Sequence, residues 1–362
     1  MRILIAICLT ILFQAHIFAR IIMQPYLQAV TTSSVFVLIE CDSPDTVEVK
    51  FGTSKTYNLS AKTELIATTT ASPVTYIHKV KLAGLSPATN YHYQAIQGKS
   101  TSSDAAFYTA VSAGMPFRMA WMADCRTGTA IFEKISKLMI QADPMFAIYG
   151  GDLCINSEYK SWKKQFFIKD QLTFASCVPF FNSPGNHEGW KQNTKAFTEN
   201  PVSASGTQDY YSFDYGDLHI LCLNNEVPYK EGSPQYEFAA SDLAASKQPW
   251  KIVIAHVPAY CSGGHGENKE MIAMTKAIFE PNKVDIVLTG HSHFYQHNLI
   301  NGIHHLVTGS AGAPLSNPEK ADYTVFQAKE YQYAVIDVST NKLKLYIYNP
   351  AHEILDSFQL EK

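Results

Sequence analysis

Asp124, Asp152, Asn186, His256, His291 and His293 are the residues of this sequence best suited to bind metal ions. Each follows an apolar, strand-like run. Residues 117–123 lead into Asp124, 145–151 into Asp152, and 178–185 into Asn186-His187-Glu188. Residues 251–255 lead into His256, and 285–290 into His291-Ser292-His293. Carboxylate oxygen, amide oxygen and imidazole nitrogen together suit zinc, manganese or iron. His291 and His293 are two apart, so on an extended segment both side chains point the same way. Glycine precedes Asp152, Asn186 and His291, where it permits tight turns and close backbone approach. Two ions held about 3.5–4 Å apart would generate hydroxide near neutral pH and clamp a phosphoryl group between them.

Such residues act together only if the fold gathers them. From 117 onward, strand-like runs (117–123, 145–149, 178–182, 210–215, 218–223, 250–255, 284–288) alternate with helical stretches (129–141, 158–172, 234–246, 267–279). This alternation predicts a layered α/β domain with parallel strand pairing, whose ligands lie beyond the carboxyl ends of the strands. The C-terminus is strand-rich again, at 332–338 and 342–348. Residues 21–109 read as all-β, with short apolar runs such as 34–39 and 46–51 between Asp, Ser, Pro and Gly clusters. Tyr91 stands just past a corner containing Pro87, at the head of a strand. That pattern resembles the tyrosine corner of fibronectin type III and related sandwiches; an ordinary turn before an edge strand is the other reading. Residues 111–116, with Gly114 and Pro116, read as a linker.

The chain has 362 residues, enough for two or three domains, and at 46% hydrophobic and 17% charged it has the means to bury a core. A net charge of -3, from 29 basic and 32 acidic residues, gives no support for a nucleic-acid partner. Met1-Arg2 and the apolar run 3–13 have the form of a signal peptide and are too short to span a bilayer. Ala19 offers a cleavage position, although Ile17 fits the −3 position poorly; an uncleaved anchor is the alternative. No later segment is apolar for long enough to cross a membrane, so the expectation is a secreted or periplasmic protein. Removing residues 1–20 leaves Cys41, Cys125, Cys154, Cys177, Cys222 and Cys261, none in C-x-x-C spacing.

Each motif is weak alone, because Gly-Asp is usually a turn and His-x-His is usually solvated. The ordered series D…GD…GNHE…H…GHSH is far more specific. It resembles the calcineurin-like metallophosphoesterases. The segments Ser183-Pro-Gly-Asn-His-Glu188, Tyr211-Ser-Phe-Asp-Tyr-Gly216, 250–256 and Gly290-His-Ser-His293 are similar to the purple acid phosphatase branch. The resemblance implies a four-layer αββα phosphoesterase domain over 116–362, preceded by a fibronectin III/Ig-like sandwich over 21–112. It also implies two metal ions (Fe, Zn or Mn). Asp152 would bridge them, Asp124 and His293 would serve the first, and Asn186, His256 and His291 the second. His187 would act as general acid and His265 would orient the substrate phosphate. The implied activity is hydrolysis of a small phosphate monoester by hydroxide generated on the metals. Phosphodiester hydrolysis on the same site, or a weak or inactive phosphate-ligand binding protein, are the alternatives.

Two positions depart from the family pattern. Many members have Asp-x-His in the first motif, where this chain has Arg126. The purple branch has a tyrosine three residues after the bridging aspartate, where this chain has Ile155. Waters could complete the first metal's shell, or Cys125 or Cys154 could supply a thiolate. The first site could instead be weak or empty because a guanidinium is always charged, leaving Arg126 to grip the substrate phosphate. Arg126 salt-bridged to a carboxylate away from the metals is a further reading. Cys125 and Cys154, in adjacent strand-end loops, could pair as a disulfide or remain free buried thiols. Ile155 generates one optical expectation. Iron-loaded protein should lack a tyrosinate-to-iron charge-transfer band, and a strong visible band in the purified protein refutes this.

Overall fold

The computed structural model describes residues 19–362, so the expected signal peptide lies almost wholly outside the described residues. Two large sheets face each other. The ten-stranded sheet runs, edge to edge, through Ile354–Glu361, Lys342–Tyr348, Tyr333–Ser339, Phe117–Met122, Phe146–Tyr149, Phe180–Asn182, Tyr26–Gln28, Ser34–Cys41, Tyr76–Ala83 and Glu64–Thr68. The seven-stranded sheet runs through Tyr211–Tyr215, Leu218–Cys222, Trp250–Ile254, Ile286–Thr289, Ile303–Thr308, Tyr295–Ile300 and Thr324–Ala328. Phe117–Met122, Phe146–Tyr149 and Phe180–Asn182 are mutually parallel, as are Leu218–Cys222, Trp250–Ile254 and Ile286–Thr289. Their carboxyl ends meet at one edge of the molecule.

Strand periodicity decides which residues fill which layer. Met119 and Trp121 point between the sheets, against Ile252, Ile254, Leu288 and Leu306. Their neighbours Ala120 and Met122 point outward, under Phe132, Ile135 and Met139 of the helix Thr129–Ala142. On the other side Val253 and Val287 pack under Leu243, Met271 and Ile278. The order of layers is therefore helix, sheet, sheet, helix. The helix read at 158–172 is broken in the structure. A short turn at Tyr159–Ser161 passes into π-helix at Trp162–Phe166, and an α-helix follows at Lys169–Cys177. The wide turn, closed by the Phe167 N–H to the Trp162 carbonyl at 2.9 Å, buries both Trp162 and Phe167, five apart, which a regular α-helix would carry on different faces. The segment 267–279 is likewise split, into Lys269–Met274 and a π turn at Thr275–Phe279.

The N-terminal strands form two sheets that share a core of Val35, Val37, Val49, Phe51, Tyr93 and Phe107. The Tyr91 hydroxyl accepts the Ser86 backbone N–H at 3.0 Å, folding back on the corner as the sequence suggests. One of these sheets does not stop at the linker. Through the parallel pair Gln28↔Phe180 it continues into the ten-stranded sheet. Side chains lock the junction. Glu40 is fully buried and accepts from Lys163 (2.7 Å), Tyr159 (2.6 Å) and Thr75 (2.6 Å). Tyr93 donates to the Ser176 carbonyl at 2.9 Å. Breaking a buried ion pair from one side leaves an uncompensated charge. Glu40→Ala should therefore lower the unfolding free energy by about 3–5 kcal/mol in urea denaturation. A loss under about 1 kcal/mol would show that the junction does not depend on this cluster.

Candidate metal centre

The six residues singled out at strand ends meet between the two sheets. Asp124, Asp152 and Asn186 come from the ten-stranded sheet, and His256, His291 and His293 from the seven-stranded one. Offered atoms of Asp124, Asp152 and His256 lie within 4.8 Å of one another, and all three residues are buried. The backbone is bent to aim them. Asp124, Asp152 and His291 have φ of 56°, 54° and 70°, the left-handed region that side chains with a Cβ rarely adopt. Gly151, at φ 86°, lets the loops close. A Cβ there would stand 2.5 Å from the Gly185 nitrogen and 2.8 Å from His256 Nδ1.

Hydrogen bonds fix which ring nitrogens are free. His256 Nδ1 lies 2.7 Å from the Gly150 carbonyl, which only accepts, so Nδ1 carries the proton. In the neutral ring Nε2 is then a bare lone pair. It faces Asn186 Oδ1 at 3.0 Å and Asp152 Oδ1 at 3.4 Å, three acceptors turned on one another. Asn186 Oδ1 also lies 2.9 Å from His291 Nδ1. His293 follows the same rule. Its Nδ1 donates to the Pro314 carbonyl at 2.9 Å, and its Nε2 stands 3.5 Å from Asp124 Oδ1. Asp124 Oδ2 accepts the His291 N–H at 2.9 Å, while its buried Oδ1 has no hydrogen-bond partner. Converging bare acceptors with an orphaned carboxylate oxygen fit a cation. Asp152, Asn186, His256 and His291 could hold one ion, with Asp124 and His293 beside it.

Burial is the largest influence on the titration of these groups. Burial pushes the Asp124 carboxyl well above the usual range; His256 opposes this and Asp152 adds to it. Burial would also raise Asp152, but His256, the His187 N–H and Arg126 outweigh it and hold Asp152 at about 2. Burial, then His256 and His265, lowers His291 to about 3. Burial, then Arg126, lowers His293. Neutral imidazoles are what metal ligation requires.

The remaining expected residues stand around this cluster. The His187 N–H donates to Asp152 Oδ1 at 3.0 Å, and its Nδ1 donates to the Ile155 carbonyl at 3.0 Å. Its Nε2 is thereby turned toward the site, 3.8 Å from Asp152 Oδ2. His265 is exposed on its glycine loop and stacks on His291, with ring centroids 4.1 Å apart. Arg126 is buried against the site, its Nε 3.0 Å from Asp152 Oδ2 and its Nη2 3.2 Å from His293 Nε2. The Nε edge of the guanidinium is thus turned to the protein at the centre itself, not to a salt bridge remote from it. Cys125 and Cys154 are free thiols that contact the carbonyls of Leu153 and Asn156, so the disulfide is not formed. Asn225 was missed. Its Oδ1 accepts the N–H groups of His256 (3.0 Å) and Val257 (2.8 Å). It follows the strand Leu218–Cys222, so the strand-end rule that found the others applies to it too.

Residues 118–295 match the family of calcineurin-like phosphoesterases. That segment is a calcineurin-like metallophosphoesterase domain. The match takes in just under half of the chain and supports a phosphoesterase hydrolase. Acid phosphatase type 7 of Danio rerio is 25% identical over 74% of this chain and 73% of its own length. Probable inactive purple acid phosphatase 1 of Arabidopsis thaliana is 26% identical over 64% of this chain, which spans only 45% of that protein. In fold, the purple acid phosphatase isolated from yellow lupin (Lupinus luteus) seeds superposes with a TM-score of 0.80 at 21% identity, over 93% of this chain and 74% of that one. Purple acid phosphatase-like metallophosphoesterases use a dinuclear metal centre, and in this chain Asp124, Asp152 and His256 form a buried group of metal-ligand types. A ligand that binds only the folded state at one hundred times its Kd adds about 2.7 kcal/mol of stability. Manganese or zinc should accordingly raise Tm by several degrees, reversed by a chelator. A Tm indifferent to both metals would deny the cluster any cation.

Proposed function

We propose that the chain is an exported, metal-dependent phosphatase that hydrolyses phosphate monoesters. The observation that carries this reading is the set of bare acceptors between the two sheets, with His187 and His265 on its rim. The similarity to acid and purple acid phosphatases supports it, and the N-terminal sequence pattern supports export. Asp152, Asn186, His256 and His291 would hold a metal ion, with Asp124 and His293 at the neighbouring position. A bound cation supplies Lewis acidity to the phosphoryl oxygens and acidifies water.

The chain's own residues do the rest. His187 donates Nδ1–H to the Ile155 carbonyl, so the proton it delivers to the leaving-group oxygen sits on Nε2, facing the site. The His187 N–H bond to Asp152 ties that ring to the centre. His265, stacked on His291, presents an exposed imidazole to the phosphate. A weak or inactive phosphate-binding protein is the competing reading, favoured by Arg126 and Ile155, where the family pattern fails. The two separate on p-nitrophenyl phosphate with manganese, zinc or iron supplied. Nitrophenol should be released faster than from the bis-ester, and His187→Ala should lower kcat by about 10²–10⁴-fold. No release, or an unchanged rate in His187→Ala, decides for the binding protein.

A further inference from the structure

The centre contains two groups of acceptors, and the structure treats them differently. In one, Asp152 Oδ1, Asn186 Oδ1 and the bare His256 Nε2 face each other. Among the described residues no lysine or arginine bonds to Asn186, His256 or His291. In the other, the bare His293 Nε2 stands 3.5 Å from Asp124 Oδ1, and Asp152 Oδ2 is joined to it through one side chain. Here the protein supplies a cation of its own. The Arg126 guanidinium donates from Nε to Asp152 Oδ2 at 3.0 Å and from Nη2 to His293 Nε2 at 3.2 Å.

We infer that Arg126 is the resident cation of this second group, and that the centre binds one metal ion, on Asp152, Asn186, His256 and His291. The inference rests on the metal-dependent reading above and corrects its expected count of ions. Three facts make Arg126 a fixture rather than a passing neighbour. A guanidinium keeps its charge at every working pH. The residue is only 8% exposed, so it has little room to leave. Its own backbone N–H is tied to the Asp152 carbonyl at 3.2 Å, which sets the side chain over that carboxylate. A metal ion entering the same group would need the lone pair of His293 Nε2, which Arg126 Nη2 already occupies. It would also sit against a fixed positive charge. Arg126 thus supplies the charge of a first metal without its Lewis acidity. His293 becomes an acceptor that holds the guanidinium, and Asp124 a partner to the charge it carries.

The test is a count of ions. The full chain is loaded with manganese, freed of excess, and measured by elemental analysis and electron paramagnetic resonance. One ion per chain and the spectrum of an isolated ion are expected. Arg126→His, which restores the family's Asp-x-His, and Arg126→Ala should each admit a second ion, with an exchange-coupled spectrum in the histidine variant. Two ions in the native chain, or a coupled spectrum from it, overturn the inference and leave the phosphatase reading standing. One ion in the native chain and in both variants also overturns it, because the arginine is then not what excludes the second. No ion in any of the three sinks the metal-dependent reading itself.

Discussion

Positive charge is the requirement around which this centre is built. Two sheets present carboxylate, amide and imidazole acceptors to each other across their common edge, and acceptors brought together out of water repel. Without a cation between them, Asp124 Oδ1 stays orphaned and Asp152 Oδ1 stays turned on the bare nitrogen of His256. The surrounding structure holds that arrangement in place. Three of the residues keep left-handed backbone conformations, and three rings are oriented through the carbonyls of Gly150, Pro314 and Ile155. Strain of this kind, of order 1–3 kcal/mol per residue, persists only where neighbouring contacts over-determine it. Here the neighbours are the parallel strands themselves, whose inward residues pack Trp121 against Ile254 and Leu288.

The same constraint explains how much of the site was legible in the sequence. Asp124, Asp152, Asn186, His256 and His291 each lie within four residues of a parallel strand's carboxyl end, so topology alone sends them to one edge. Residue type did the rest. What was not legible is set by backbone atoms and rotamers. The carbonyl of Pro314 fixes which nitrogen of His293 is bare, and a backbone acceptor carries no residue signature. The pose of Arg126 depends on a turn through Asp124 and Thr127, both at positive φ, which residue spacing does not encode. In the fold, the hydrophobic period of 158–172 is helical throughout, but it does not distinguish α from π turns. Burial of Trp162, Phe166 and Phe167 made that choice.

The N-terminal strands also act on the centre, which a reading in separate domains conceals. Tyr159 and Lys163 are held from the N-terminal side by Glu40. They follow directly on the loop whose Ile155 carbonyl orients His187. Asn193 ties that loop again, donating to the Ser157 carbonyl at 2.7 Å and to Thr70 at 3.2 Å. Packing between the two parts therefore reaches the rim in a few covalent steps. The continuous sheet through Gln28 and Phe180 gives this contact a rigid base.

Overall similarity does not sort the relatives by activity. One called an acid phosphatase and one called probably inactive are 25% and 26% identical to this chain. What a phosphoesterase fold does is decided by a few groups at the strand ends. Position 126 is such a group, because it selects which positive charge stabilises Asp152 and Asp124. A guanidinium is fixed in place, cannot exchange with solvent and polarises through hydrogen bonds. A metal ion exchanges, adjusts its shell and accepts lone pairs directly. The protein keeps the carboxylates and histidines of a two-cation centre while placing one of the cations on its own chain. On the proposed reading the centre is asymmetric, with His187 turned toward it on one side and Arg126 occupying the other.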